Sequence, residues 1–160
     1  MAVDMFLKID GIKGEAHDAK HKDEIDVLAW SWGMAQSGTS HMGGGGGSGK
    51  VTVQDLSITK YMDKATPNLM MYCCSGKHVP KIMLTVRKAG SKALEYLKIS
   101  MEDCLVGHVS TGGSGGEDRL TETLALNFAR VKVEYTPQKA DGSGDAVVQM
   151  GWDIAKNDLA

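Results

Sequence analysis

The chain is poor in aromatic residues and has no surplus of positive charge. Among its 160 residues are two Phe, three Trp and four Tyr, and the formal net charge is −2. Proteins that bind nucleic acid rely on basic surfaces and on aromatic side chains that stack on bases. The composition therefore argues against nucleic acid as the main partner.

Long hydrophobic runs are lacking as well. A membrane-spanning helix needs about 20 consecutive apolar residues, and no segment comes near that length. The start, MAVDMFLKIDG, has no basic region, and Asp4 interrupts its apolar residues almost at once. We therefore expect neither a cleaved signal peptide nor membrane insertion. The sequence predicts synthesis and folding in the cytosol, and it leaves later export of the folded protein open.

The three cysteines, Cys73, Cys74 and Cys104, are too few and too unevenly spaced for a disulfide framework. The chain has no C-x-x-C motif and no Cys/His spacing suited to zinc. We expect these residues to be buried cytosolic thiols, and we expect no metal and no cofactor.

Apolar residues alternate with polar ones along most of the chain, which is the pattern of half-buried β-strands. The longest such pattern carries Leu120, Glu122, Leu124, Leu126 and Phe128 on one face. After Phe128 the apolar residues change parity, as a β-bulge would produce. These patterns predict a mainly β fold: a compact β-barrel of two sheets with one short flanking helix, forming a single domain over residues 1–160.

The flanking helix is predicted within TPNLMMYCCSGK. Thr66 suits the N-cap, Pro67 suits the first helical position, and Gly76 suits the residue that ends the helix. Leu69 lies on the apolar stripe and is expected to face the barrel.

Two glycine-rich loops imitate catalytic motifs. Gly44 to Val51 resembles a phosphate-binding P-loop, but Val51 replaces the hydroxyl residue that holds magnesium, and the next residues predict a strand instead of a helix. Gly112 to Gly116 matches G-x-S-x-G, but no His follows it in the chain, and a strand is predicted next. We interpret both segments as flexible loops.

His17 and His21 are four residues apart in an acidic segment. On a helix they could bind a metal together, but the segment is polar and has no helical stripe. A solvated loop is the favoured interpretation, and no other set of residues predicts an enzyme active site.

Several linked segments resemble the haemolysin-coregulated protein (Hcp) family of type VI secretion systems. They include EIDVLAWSWGM, HMGGGGGSGKV, VQDLSITKYMDKATPNLM and STGGSGGEDRLTE, and the match extends over essentially the whole chain. The resemblance implies a non-enzymatic subunit whose hexameric rings stack into the inner tube of a contractile secretion machine. It also implies a spike protein, a sheath and baseplate, and small effectors as partners. The protein would be cytoplasmic when assembled and secreted without a signal peptide.

Small side chains occupy one face of the strand segment at Val27, Ala29, Ser31 and Gly33. They suit either tight sheet packing or a smooth wall of the ring lumen. Ser31 and Ser114 are therefore the candidate residues for contact with effectors.

The polar loop at residues 36–50 is the candidate for contact between stacked rings. Long unstructured loops in compact domains are usually functional or disordered. Its candidate residues are Ser40, His41, Met42, Gly43, Gly44, Gly45, Gly46, Gly47 and Ser48.

A different class of function is an all-β module that binds protein or carbohydrate through its glycine-rich loops. A monomer in solution would favour that module, and a ring would favour the tube.

Overall fold

The computed structural model describes residues 2–38, 49–89 and 93–160. The elements follow the chain in the order β1 (Val3–Ile9), β2 (Ile25–Asp26), β3 (Ala29–Ser31), β4 (Met34–Ala35), β5 (Thr52–Val53), β6 (Leu56–Tyr61), α1 (Thr66–Ser75), β7 (Val79–Lys88), β8 (Glu95–Gly112), β9 (Thr121–Tyr135), β10 (Val148–Asp153) and β11 (Asp158–Leu159).

Nine of these strands form one antiparallel sheet with the order β11-β10-β9-β8-β7-β1-β2, and β6 joins it by pairing with β9 and with β3. Strands β4 and β5 form a separate short hairpin. The strand order of the large sheet does not close into a barrel. The predictions of a mainly β fold and of one short flanking helix are confirmed.

The core is built by the alternation that the sequence predicted. Leu56 and Ile58 on β6, and Leu124 and Leu126 on β9, are fully buried, whereas the residues between them are at least partly exposed. Because β6 and β9 pair in register, with Ile58 opposite Leu124, these side chains meet on one face of the sheet. The opposite face of the same strands is left outside the core.

Helix α1 begins one residue earlier than predicted. Ala65, not Thr66, is the N-cap, and no side chain caps the helix. The Thr66 hydroxyl is engaged elsewhere: it accepts a hydrogen bond from the backbone N–H of Asp63 at 3.1 Å and donates one to Glu122 at 2.7 Å. Gly76 ends the helix in the left-handed conformation, and Leu69 is fully buried, as expected.

The parity change after Phe128 is real, but a bulge in β9 does not cause it. Phe128 and Val131 are both buried, yet the pairing of β9 with β8 continues in regular register through this point. The neighbouring strand changes parity at the same level, between Met101 and Cys104, where Asp103 has a φ of 55°. The bulge in the β8–β9 ladder lies farther along, between Val106 and His108.

Each of the two segments that imitate catalytic motifs is followed by a strand and not by a helix, as the sequence predicted. The segment from Gly112 to Gly116 joins β8 directly to β9, and no helix follows it. Val51 is followed by the strand β5, while residues 44–48 of the P-loop imitation lie outside the described residues. Within the described residues, no helix has the length and apolar content needed to span a membrane.

Candidate assembly surface

The outer side of strands β3, β6, β9 and the second half of β8 carries small and polar side chains. We call this surface the small-residue face. It comprises Ala29, Ser31, Ser57, Thr59, Thr121, Thr123, Ala125, Asn127, His108 and Ser110, all of them exposed or half-buried.

Strand register arranges these residues in rows across four strands. Ser31 lies opposite Ser57, which lies opposite Ala125, which lies opposite His108. The next row runs from Ala29 through Thr59 and Thr123 to Ser110. Since the alternate residues of β6 and β9 fill the core, this face is smooth and wide.

Lys60 and Glu122, the charged residues in the paired segments of β6 and β9, point to the core instead. Lys60 is fully buried and Glu122 is 2% exposed, and they lie opposite each other on β6 and β9. The Lys60 ammonium forms an ion pair with Glu122 and another, at 2.8 Å, with Asp63. The Thr66 hydroxyl completes the cluster by donating to Glu122 Oε1. This ion-pair cluster removes both charges from the small-residue face and fastens α1 to the sheet behind it.

The sequence analysis did not identify the ion-pair cluster. A signal was present, because Lys60 and Glu122 each occupy an inward position within an otherwise apolar alternation. A charge at such a position requires a buried partner of opposite sign.

The two candidate lumen residues are both exposed, but the structure does not bring them together. Ser31 lies in a row of the small-residue face, opposite Ser57. Ser114 lies in the loop after β8, beyond the end of that face at Gly112 and Thr121. The ring-stacking candidates, residues 40–48, lie outside the described residues.

His21 is not a solvated loop residue, so the favoured interpretation of the His17/His21 segment is wrong for it. It is 8% exposed, and its ring stacks on Phe6 with the centroids 4.5 Å apart. Its Nδ1 lies 2.8 Å from Glu24 and its Nε2 lies 2.7 Å from Glu95. Each ring nitrogen therefore has a carboxylate oxygen within hydrogen-bonding distance. His21 therefore fastens its loop to β8.

A second contact holds the same loop. The Arg87 guanidinium, 7% exposed, donates to both carboxylate oxygens of Asp18, at 3.1 and 2.5 Å, and to Asp4 at 3.0 Å. The hydrogen bond from Arg87 holds the pKa of Asp18 well below its usual range. Within the described residues, no group of three or more His, Cys, Asp or Glu side chains is arranged so that it could hold a metal ion.

These contacts predict that acid destabilises the fold. Burial acts to raise the pKa of Glu95, but the hydrogen bond and charge of His21 outweigh it, and the net pKa is lowered. A carboxylate whose pKa is lower in the folded state stabilises the protein above its unfolded pKa, and that stabilisation is lost as the pH falls through the folded value. We expect the free energy of unfolding to fall steeply below about pH 4.

Urea titrations at a series of pH values and one fixed subunit concentration measure this effect. Glu95→Gln should lower stability at pH 7 and reduce its further loss in acid. Glu117→Gln, in an exposed loop, is the matched control and should follow the wild-type profile. An unchanged acid profile in Glu95→Gln would show that the contact to His21 contributes nothing.

The cysteines only partly match the expectation of buried thiols. Cys104 is buried, and desolvation raises the pKa of its thiol to about 12. Cys73 is half-buried, but Cys74 is exposed on α1, where the expectation is wrong. A helix with one buried stripe leaves the neighbouring position outside.

The sequence matches a known protein family over most of its length. Residues 6–135 match the family model described as "Type VI secretion system effector, Hcp". The chain is 65% identical over 159 residues to protein hcp1 of Pseudomonas aeruginosa, with 98% of each chain covered.

Solved structures agree with the sequence comparisons. The crystal structure of Hcp1 from Salmonella typhimurium matches with a TM-score of 0.83 and 45% identity over the full length of both chains. A structure described as a type six secretion system protein matches with a TM-score of 0.94 and 29% identity, covering 99% of this chain and all of the other. The chain therefore belongs to the Hcp family of type VI secretion proteins.

Proposed function

We propose that this protein is a structural subunit of the tail tube, in which hexameric rings of the chain stack into a tube that is expelled from the cell. The observation that carries the proposal is that the sheet behind the small-residue face has two unpaired edges. Strand β3 pairs only with β6 among the described strands. Strand β7 pairs with β8 no farther than Cys104, so residues 105–112 of β8 have β9 on one side and no described strand on the other.

Unpaired strand edges are exposed hydrogen-bonding surfaces that other chains can occupy. The β3 edge and the β8 edge lie on opposite sides of the same sheet, so a copy of the chain can place one edge beside the other edge of its neighbour. Repeating one such head-to-tail contact closes a ring when its rotation permits. The small-residue face then becomes the continuous inner wall of that ring.

Native mass spectrometry of the purified protein tests this proposal. We expect a closed hexamer, visible as rings in negative-stain micrographs. Monomers or dimers across a wide concentration range would contradict it and would favour a binding module.

Cargo in the lumen is the second part of the proposal. The two rows consist of Ser, Thr and Ala apart from His108 at the end of one of them, so the wall offers hydrogen bonds and shape to a small effector. Assembly in the cytoplasm, with a spike protein and a sheath and baseplate as partners, and release outside the cell complete the proposed role.

The lumen assignment predicts the effect of a bulky side chain. Ser31→Gln should narrow the pore without breaking the fold, because Ser31 is exposed on the small-residue face. We expect rings to persist and co-purification of an effector to fall. Ser114→Gln tests the loop candidate in the same assay. Unchanged recovery of effector with both substitutions would place the two residues outside the lumen.

The stacking assignment predicts a separation of two phenotypes. Shortening the loop at residues 36–50 to a tight turn that joins Met34 to Lys50 should leave rings intact and abolish secretion through the tube. Size in solution and secretion into the medium measure the two outcomes independently. Loss of the rings would assign the loop to the lateral contact, and normal secretion would contradict a role in stacking.

A further inference from the structure

The small-residue face has two ends, and each end carries its own group of charges. Past Leu56, β3 and β6 continue into the β4–β5 hairpin, so Lys50 and Asp55 lie at that end. Past Tyr61, the face ends at the loop between β8 and β9, which carries Arg119 and two acidic residues before it. We call these the hairpin end and the loop end.

The charges at both ends are exposed, and none of them forms an ion pair within the described residues. Asp55 accepts one hydrogen bond from the Asn127 amide at 2.9 Å. The Arg119 guanidinium stands 3.8 Å from the centre of the Tyr61 ring. Arg119 also opposes the burial that raises the pKa of Asp26, yet the two groups form no ion pair.

The order of negative and positive side chains, counted outward from the small-residue face, is opposite at the two ends. At the hairpin end the acidic Asp55 is next to the face, and the basic Lys50 is separated from the face by more residues of the chain. At the loop end the basic Arg119 is next to the face, over Tyr61. The acidic Glu117 and Asp118 are separated from the face by more residues of the chain.

Exposed apolar side chains accompany the charges. Met62 is 37% and Leu120 is 40% exposed at the loop end, where the Met62 N–H donates to the Leu120 carbonyl at 2.8 Å. Met34 is 47% exposed at the hairpin end. Each end therefore has apolar surface beside its charges.

We propose that the hairpin end of one subunit docks on the loop end of a second copy in the next ring, with Asp55 paired to Arg119 and Lys50 paired to Glu117 or Asp118. This inference rests on the proposed tube, and it identifies the two surfaces that meet when rings stack. A head-to-tail contact places opposite signs together twice, whereas a head-to-head contact would place each group against itself. The polarity of the stack thus follows from the order of the charges.

Charge reversal tests the pairing. Arg119→Glu and Asp55→Arg should each abolish stacks of rings in micrographs and leave the rings themselves intact, because every subunit of a ring repeats the unfavourable contact. Combining Arg119→Glu with Asp55→Arg should restore the stacks. Lys77→Glu is the matched control, because Lys77 also stands over a tyrosine ring, at 4.9 Å from the centre of Tyr72, but lies after α1. It should stack like the wild type.

Zero-length carbodiimide coupling gives an independent measurement on the unmodified protein. It should join Lys50 of one copy to Glu117 or Asp118 of another, identified by peptide mass spectrometry on mixed isotope-labelled and unlabelled chains. Stacks that persist in both single reversals, or a combined variant that stays unstacked, would overturn the pairing. So would disappearance of the rings in the reversal variants. A wild-type protein that forms no rings at all would instead refute the proposed tube.

Discussion

Replacing Lys60 by methionine should lower the free energy of unfolding by about 3–5 kcal/mol, the cost typical of breaking a buried ion pair from one side. Glu122 would then keep its negative charge in the core without its ammonium partner, and Glu122 Oε2 already has no hydrogen-bond donor. Methionine is close to lysine in length, so the change removes charge with little loss of packing. Urea unfolding at one subunit concentration measures the effect.

The matched control removes both charges at once. Buried ion pairs can be replaced by apolar residues of similar volume with little or no loss of stability. Lys60→Met combined with Glu122→Leu should therefore recover most of the stability that Lys60→Met loses, reduced by the hydrogen bond from Thr66. If the double variant is as unstable as the single one, packing of the lysine stem and not the charge would be the important contribution.

The alternation of apolar and polar residues predicted much of the core, because the side of the sheet on which a residue lies depends on its position along its own strand. Leu124 and Leu126 are buried where the period of two places them. The same alternation places Glu122 on the buried side of β9, and a charged residue at that position was a signal for the ion-pair cluster. Its partner Lys60 is 62 residues away in the chain, and only the pairing of β6 with β9 joins them.

Contacts distant in sequence explain the errors as well. His21 was interpreted as solvated because its local segment is polar, but Glu95, which lies 74 residues later, and the ring of Phe6 bury it. Thr66 fits the N-cap preference, yet its hydroxyl binds Glu122 across the core. In both cases a tertiary partner overrides a local preference.

The candidate site was predictable only in part. Small residues around Ser31 indicated a smooth surface, but a single strand does not show which side of it faces outward. The rows that join Ser31 to Ala125 arise from pairing among β3, β6 and β9. The edge of β8 is unpaired because β7 pairs with only part of β8. The alternation of apolar and polar residues does not specify where that pairing stops.

Leu69→Ala should lower the free energy of unfolding by about 2–5 kcal/mol, because the side chain is fully buried and its removal leaves a cavity between α1 and the sheet. The helix has weak amphipathic character and no side-chain cap, so Leu69 is its main attachment to the core beside the Thr66 hydroxyl. Met71→Ala on the same helix is the matched control. Met71 is 62% exposed, so its loss should change stability by less than about 1 kcal/mol. Equal unfolding midpoints for Leu69→Ala and wild type would mean that α1 does not depend on this contact, and that the hydrogen bonds of Thr66 in the ion-pair cluster suffice to hold it on the sheet.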